Sequence, residues 1–173
     1  MKHSRFTVDL QARSGRRMSY DMARTIIKDA YELNEMQQDQ IQLCAVGGNT
    51  LRDGLTPAEI LDMVEYAMRR TRKISRLHLV VVSMLSSLES LPELDEDFKH
   101  CDAILREKIR EYSHVSFIDL KYIFRTSSGQ MRRADFDDKK NGEADIHLSP
   151  DGARKLAKKI HDHVFTLPGI LLK

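Results

Sequence analysis

Apolar positions along the chain fall into short runs and into longer stretches with helical spacing, and the two kinds alternate. Phe6-Thr7-Val8-Asp9-Leu10 alternates apolar and polar residues, the pattern of a half-buried strand. Ile41–Val46, Leu77–Val82 and Val115–Ile118 also read as strands. The run Leu77-His78-Leu79-Val80-Val81-Val82 is almost continuously apolar, which predicts a strand covered on both faces and hence a parallel sheet. Between these runs, Tyr20 to Met36 places Met22, Ile26, Ala30 and Leu33 on one stripe. A second helix starts with Thr56 as cap, Pro57 in the first turn and Glu59 behind it, and buries Ile60, Leu61, Val64, Ala67 and Met68. A third, about Asp95 to Tyr112, aligns Phe98, Cys101, Leu105, Ile109 and Tyr112. The last opens with Ser149 and Pro150 and carries Ala153, Leu156, Ala157, Ile160 and Val164.

Strands alternating with helices of this length predict right-handed crossovers and an open parallel sheet flanked by helices. Functional groups in such a sheet collect in the loops at the carboxyl ends of the strands. Those loops are 11–19, 47–56, 83–92 and 121–149, and the stretch Arg125 to Asp145 reads as irregular chain. With 173 residues, 41% of them hydrophobic, the sequence suits a single domain over 1–173. It shows no transmembrane run and no signal-peptide block, so no membrane partner is expected. Two distant cysteines, Cys44 and Cys101, suggest reduced thiols and a cytoplasmic location. A net charge of +2 does not by itself indicate a nucleic-acid binder.

Two stretches carry candidate chemistry. In Val46-Gly47-Gly48-Asn49-Thr50, the glycines turn the backbone sharply and leave N–H groups open, while Asn49 adds an amide donor. These are the parts of an oxyanion hole, and equally those of a plain Gly-Gly-Asn turn. In Asp145-Ile146-His147-Leu148-Ser149-Pro150-Asp151-Gly152, His147 precedes a capped helix start in a carboxyl-side loop. An imidazole there suits a general base oriented by a nearby carboxylate, although ordinary loop chemistry has the same composition.

Together the two stretches resemble blocks of the SGNH (GDSL-type) hydrolases. Gly47-Gly48-Asn49-Thr50 is similar to the family's Gly-x-Asn-Asp block, and His147-Leu148-Ser149-Pro150-Asp151-Gly152 resembles its last block. Arg13-Ser14-Gly15 resembles the glycine block more weakly. The resemblance implies a flavodoxin-like three-layer α/β/α domain with a mostly parallel sheet of about four strands. It further implies ester hydrolysis, with His147 as base, Asp145 as the carboxylate nearest the family's position, and Gly15 and Asn49 as oxyanion donors. A small ester would be the substrate, with no cofactor and no metal.

Two departures set limits on that expectation. No Gly-Asp-Ser occurs in the sequence, so the family's first strand and its nucleophile are missing, and Ser14 is the weak remaining candidate. Position 144, three before His147, is alanine where the family has aspartate. Without a nucleophile the base has nothing to activate. The expectation is therefore either a segment whose first strand lies elsewhere or a domain that has lost catalysis. A strand supplied by a partner, a dimer, or re-pairing of Phe6–Leu10 would cover the edge left open. The alternative function is RNA binding, as in SGNH-like domains that lack the serine, carried by Arg13, Arg16 and Arg17, by Arg69 to Arg76, and by Arg132, Arg133, Lys139 and Lys140.

Other polar residues have plainer readings. His161 and His163 flank Asp162 but point to different sides of a helix, which makes them surface residues at its end rather than metal ligands. His78 belongs to the core or a sheet face, and His100 and His114 have no ligand partners nearby in sequence. Ser83, Ser86 and Ser87 suit turns and helix caps. Met18, Met22, Met36, Met63, Met68 and Met84 read as core filling.

Overall fold

The computed structural model describes residues 19–36, 39–45, 54–83, 92–138 and 144–167, and for 92–95, 121, 122, 138 and 144–147 it describes the backbone alone. The elements run α1 (Tyr20–Glu35), β1 (Gln40–Ala45), α2 (Pro57–Thr71), β2 (Leu77–Val82), α3 (Pro92–Ile109) and β3 (Val115–Ile118). A short α4 (Lys121–Phe124), a 3-10 turn (Arg133–Asp135), β4 (Phe136–Asp138), β5 (Ala144–Leu148) and α5 (Pro150–Val164) complete the order.

β1, β2 and β3 form a parallel sheet in that order, with Gln40 to Ala45 opposite Leu77 to Val82 and Leu79 to Val82 opposite Val115 to Ile118. β2 is central and almost wholly buried, as its continuous apolar run requires. One face of the sheet, with Cys44, Leu79, Val81 and Val115, packs against Ala23 of α1, Ile60, Val64 and Met68 of α2, and Phe98, Cys101 and Leu105 of α3. The other, with Val80, Val82 and Ile118, packs against Phe124, Phe136, Leu148, Leu156 and Ile160. A helical layer thus covers each side of the sheet, and the fold is three-layer α/β/α. The strand expected at Phe6–Leu10 lies outside the described residues.

Local chemistry explains the helix starts. The Thr56 hydroxyl accepts from the Glu59 N–H, and the Glu59 carboxylate accepts from the Thr56 N–H at 2.8 Å, a reciprocal cap with Pro57 in the first turn. Those bonds to Thr56 hold the Glu59 carboxyl below its ordinary value. Ser19 caps α1 by accepting from the Met22 N–H, and Ser149 caps α5 by accepting from the Gly152 N–H, each a one-way cap.

Four expectations need correction. The described part of 125–145 is more ordered than expected: Arg125 bridges Met131, the 3-10 turn follows, and β4 pairs antiparallel with β5. The third helix spans 92–109 rather than 95–112, because Pro92 fits a first turn and the chain turns after Ile109. On α5, Ala153 and Ala157 are exposed, and the inward stripe runs through Gly152, Leu156, Ile160 and His163. Met63 and Met68 are buried and Met22 packs on the core, but Met36, just past the end of α1, is 66% exposed. Met18 and Met84 lie outside the described residues.

Candidate functional site

The start of α5 is fastened to the turn that precedes β4. The Ser149 N–H donates to the Asp135 carbonyl at 3.0 Å, the Ser149 hydroxyl donates to the Ala134 carbonyl at 3.0 Å, and the same hydroxyl accepts from the Gly152 N–H at 3.2 Å. Gly152 lies so close to the turn that a Cβ would sit 2.0 Å from the Asp135 carbonyl oxygen. Glycine is thus required there by a backbone approach, while its φ is ordinary. Asp135 is 1% exposed and forms an ion pair with Lys155 one turn further along α5. Its second oxygen, Oδ2, is buried with no hydrogen-bond partner.

β4 and β5 pair Phe136 with Leu148 and Asp138 with Ala144, so Asp137 alone stands opposite Asp145, Ile146 and His147. That register is a bulge, a device that bends a strand and re-aims residues and that is over-represented beside active sites. His147 and Asp145 are therefore strand residues in a bulged hairpin; the loop expected for them does not exist. The cause is the antiparallel partner β4, whose three residues Phe136-Asp137-Asp138 give no strand pattern by themselves. Leu148, next to His147, packs in the same cluster as Val82 and Ile118, the last residues of β2 and β3. This sets the hairpin's end beside the carboxyl rim of the sheet. Ala45, at the same rim opposite Val82, leads into the segment that contains Asn49. Asn49, Gly15 and Ser14 themselves lie outside the described residues.

Other residues singled out from the sequence have structural roles here. Ser83 is buried, donates its N–H to the Ile118 carbonyl, and accepts from the Leu120 N–H at 2.8 Å, tying the end of β2 to the chain leaving β3. Ser86 and Ser87 lie outside the described residues. Asp119, at the same rim, pairs with Arg106 of α3. Cys44 is buried and its thiol is pushed up to about 12; burial, reinforced by Asp102 and Asp97, does the same to Cys101. Neither thiol is a nucleophile near neutrality. Among the described residues no group of three or more His, Cys, Asp or Glu side chains could hold a metal ion, and no helix is long and apolar enough to cross a membrane.

The histidines differ from the reading by periodicity. His161 is exposed, but His163 is half-buried and meets Ser116 of β3 at 2.7 Å, and Ser116 meets His78 of β2 at 2.9 Å. His163 is thus no surface residue; helical spacing from Ile160 points to its inward position. His114 sits 3.1 Å from the Thr71 hydroxyl. Among the described residues the basic groups are dispersed, and Arg13, Arg16, Arg17, Lys139 and Lys140 lie outside the described residues. Arg69, Arg70, Arg72 and Lys73 are exposed before β2, at the amino rim, whereas Arg132 and Arg133 are exposed near the start of α5 at the opposite rim.

No family model matches the sequence, and no curated protein matches it. Solved structures do. The OSK domain of Drosophila Oskar is similar at 12% identity with a TM-score of 0.61, over 72% of this chain and 62% of that one. The chain therefore spans less than two thirds of that domain's length. A carbohydrate esterase family 3 protein from Talaromyces cellulolyticus is similar at 16% identity with a TM-score of 0.63, over 88% and 68% of the two chains. A Streptococcus pneumonia protein described as a candidate platelet activating factor is similar at 14% identity with a TM-score of 0.56, over 83% and 93%. Identities this low speak to the fold alone, and the fold these structures share with this chain is the three-layer α/β/α arrangement described above.

Proposed function

We propose that the carboxyl rim of this domain is an acyl-hydrolase site of the SGNH type, acting on small esters. The observation that carries the reading is the bulged segment Asp145–His147, locked to the start of α5 through Ser149, Gly152 and Asp135, beside the ends of β2 and β3. In this reading His147 is the general base and Asp145 orients its imidazole. Asn49 and the Gly15 N–H stabilise the oxyanion that develops on the ester carbonyl. A serine hydroxyl adds to that carbonyl and passes its proton to His147, which returns it to the departing alkoxide; water then releases the acid. Ser14, beside the glycine block, is the serine this sequence offers for the first step. The esterase among the similar folds supports ester chemistry as the class.

Turnover of p-nitrophenyl acetate tests the proposal. The expected result is measurable hydrolysis that His147→Ala lowers by about a thousandfold, with Ser14→Ala equally damaging if Ser14 is the nucleophile. Absence of turnover, or turnover indifferent to His147→Ala, overturns it.

A second reading, RNA binding, is favoured by the exposed Arg69, Arg70, Arg72 and Lys73 at the end of α2. It expects salt-sensitive binding of single-stranded RNA, weakened when Arg69 and Arg70 are replaced. The division of the described basic residues between opposite rims argues against one continuous RNA path through them, so hydrolysis is the primary proposal.

A further inference from the structure

Away from the carboxyl rim, one hydroxyl holds three elements together. Ser116 Oγ of β3 lies 2.9 Å from His78 Nε2 of β2 and 2.7 Å from His163 Nε2 in the last turn of α5. We propose that His78, Ser116 and His163 form a proton-sensitive clasp that fastens the end of α5 to the sheet near neutral pH and releases it in mild acid.

The clasp depends on how many protons its three groups share. With both imidazoles neutral, Ser116 donates to one Nε2 and accepts from the N–H of the other, so every group is satisfied. A single imidazolium leaves the chain intact, because it donates to Ser116 and the serine donates onward. A second proton breaks it. Two N–H donors then face one hydroxyl whose own proton has no acceptor, and two cations share one oxygen.

The surroundings oppose charging. Burial and the neighbouring imidazoles of His163 and His114 hold His78 below its ordinary value; burial and Lys159 do the same to His163. His114 is held low by burial and by Arg72, although a bond to the Met68 carbonyl partly offsets this. From β1, the residue in register with His78 is the apolar Ile41. Asp162, next to His163, is engaged by Lys158 and His161 on the exposed side of α5. Among the described residues, the groups that act on His78 and His163 are other imidazoles and Lys159. The half-buried Leu156 and Ile160 hold the middle of α5, the Asp135–Lys155 pair its beginning and Leu167 the chain just beyond it, so release loosens the last turn between Ile160 and Leu167.

Amide hydrogen exchange of the whole chain between pH 7.5 and 5, corrected for intrinsic rates, tests the clasp alongside NMR titration of the imidazoles. Protection of residues 160–164 is expected to fall about tenfold or more as His78 and His163 take up protons, while that of β2 is unchanged. His163→Gln, whose amide donates and accepts without titrating, is expected to stay folded and to remove the pH dependence; His78→Gln provides the same test should that variant misfold. Protection at the end of α5 that is flat with pH, or that falls equally in the glutamine variants, overturns the proposal.

Discussion

At the scale of single residues, Gly152 is the most constrained position described. A Cβ there would fall 2.0 Å from the Asp135 carbonyl oxygen, and that oxygen also accepts the Ser149 N–H, so neither side can yield cheaply. Gly152→Ala is expected to destabilise the domain by about 2 kcal/mol through overpacking, read as a lower urea midpoint, and to displace the start of α5. An unchanged midpoint would contradict this account of the close approach. Asp135 is similarly committed. Removing its partner with Lys155→Met leaves a buried carboxylate unpaired, at a cost of about 3 kcal/mol, measurable in the same experiment. The glycine was visible in the sequence as part of the Leu-Ser-Pro-Asp-Gly block. Its reason was not, because Asp135 is remote in sequence and lies in a stretch read as loop.

At the scale of elements, stability at helix starts rests on caps. Thr56→Ala removes the hydroxyl that accepts from the Glu59 N–H and leaves the backbone half of the reciprocal cap in place; it is expected to lower stability by about 1 kcal/mol, seen as a shift in the denaturation midpoint with an unaltered slope. The pH dependence has a definite sign. Glu59 is held below its ordinary value in the folded state, so its contribution is present above the unfolded carboxylate pKa and fades as pH falls towards the folded one. For His78 and His163 the sign is opposite to that of a histidine held in a stabilising salt bridge. Their folded values are lowered, so the unfolded chain binds protons more readily, and stability falls as pH drops below about 6.5. Replacing both by Gln is expected to flatten this part of the stability profile, as followed by denaturation at a series of pH values.

Helices and parallel strands were legible because each carries its own periodicity and its own caps: Thr56-Pro57 and Ser149-Pro150 mark their starts, and the apolar run of β2 marks the centre of the sheet. The hairpin β4–β5 was not legible, since its strands hold each other across a bulge and neither alternates cleanly. The role of His163 was missed for a related reason. Its partner Ser116 is 47 residues away, and two helical residues flanking an aspartate read as an exposed end.

At the scale of the whole molecule, the two rims of the sheet have different work. The carboxyl rim gathers the ends of β1, β2 and β3 and the bulged hairpin; the amino side carries the histidine clasp and the exposed basic end of α2. The proposed hydrolase site requires the Asn49 segment and His147 to converge over the carboxyl rim. The most direct measurement places spin labels at both positions in the Asn49→Cys, His147→Cys double variant. Cys44 and Cys101 are buried with thiols near 12 and do not compete for the label. Convergence predicts dipolar broadening of the continuous-wave spectrum beyond the sum of the two single variants. A spectrum equal to that sum would place the two positions too far apart to act on one small ester, and would contradict the account.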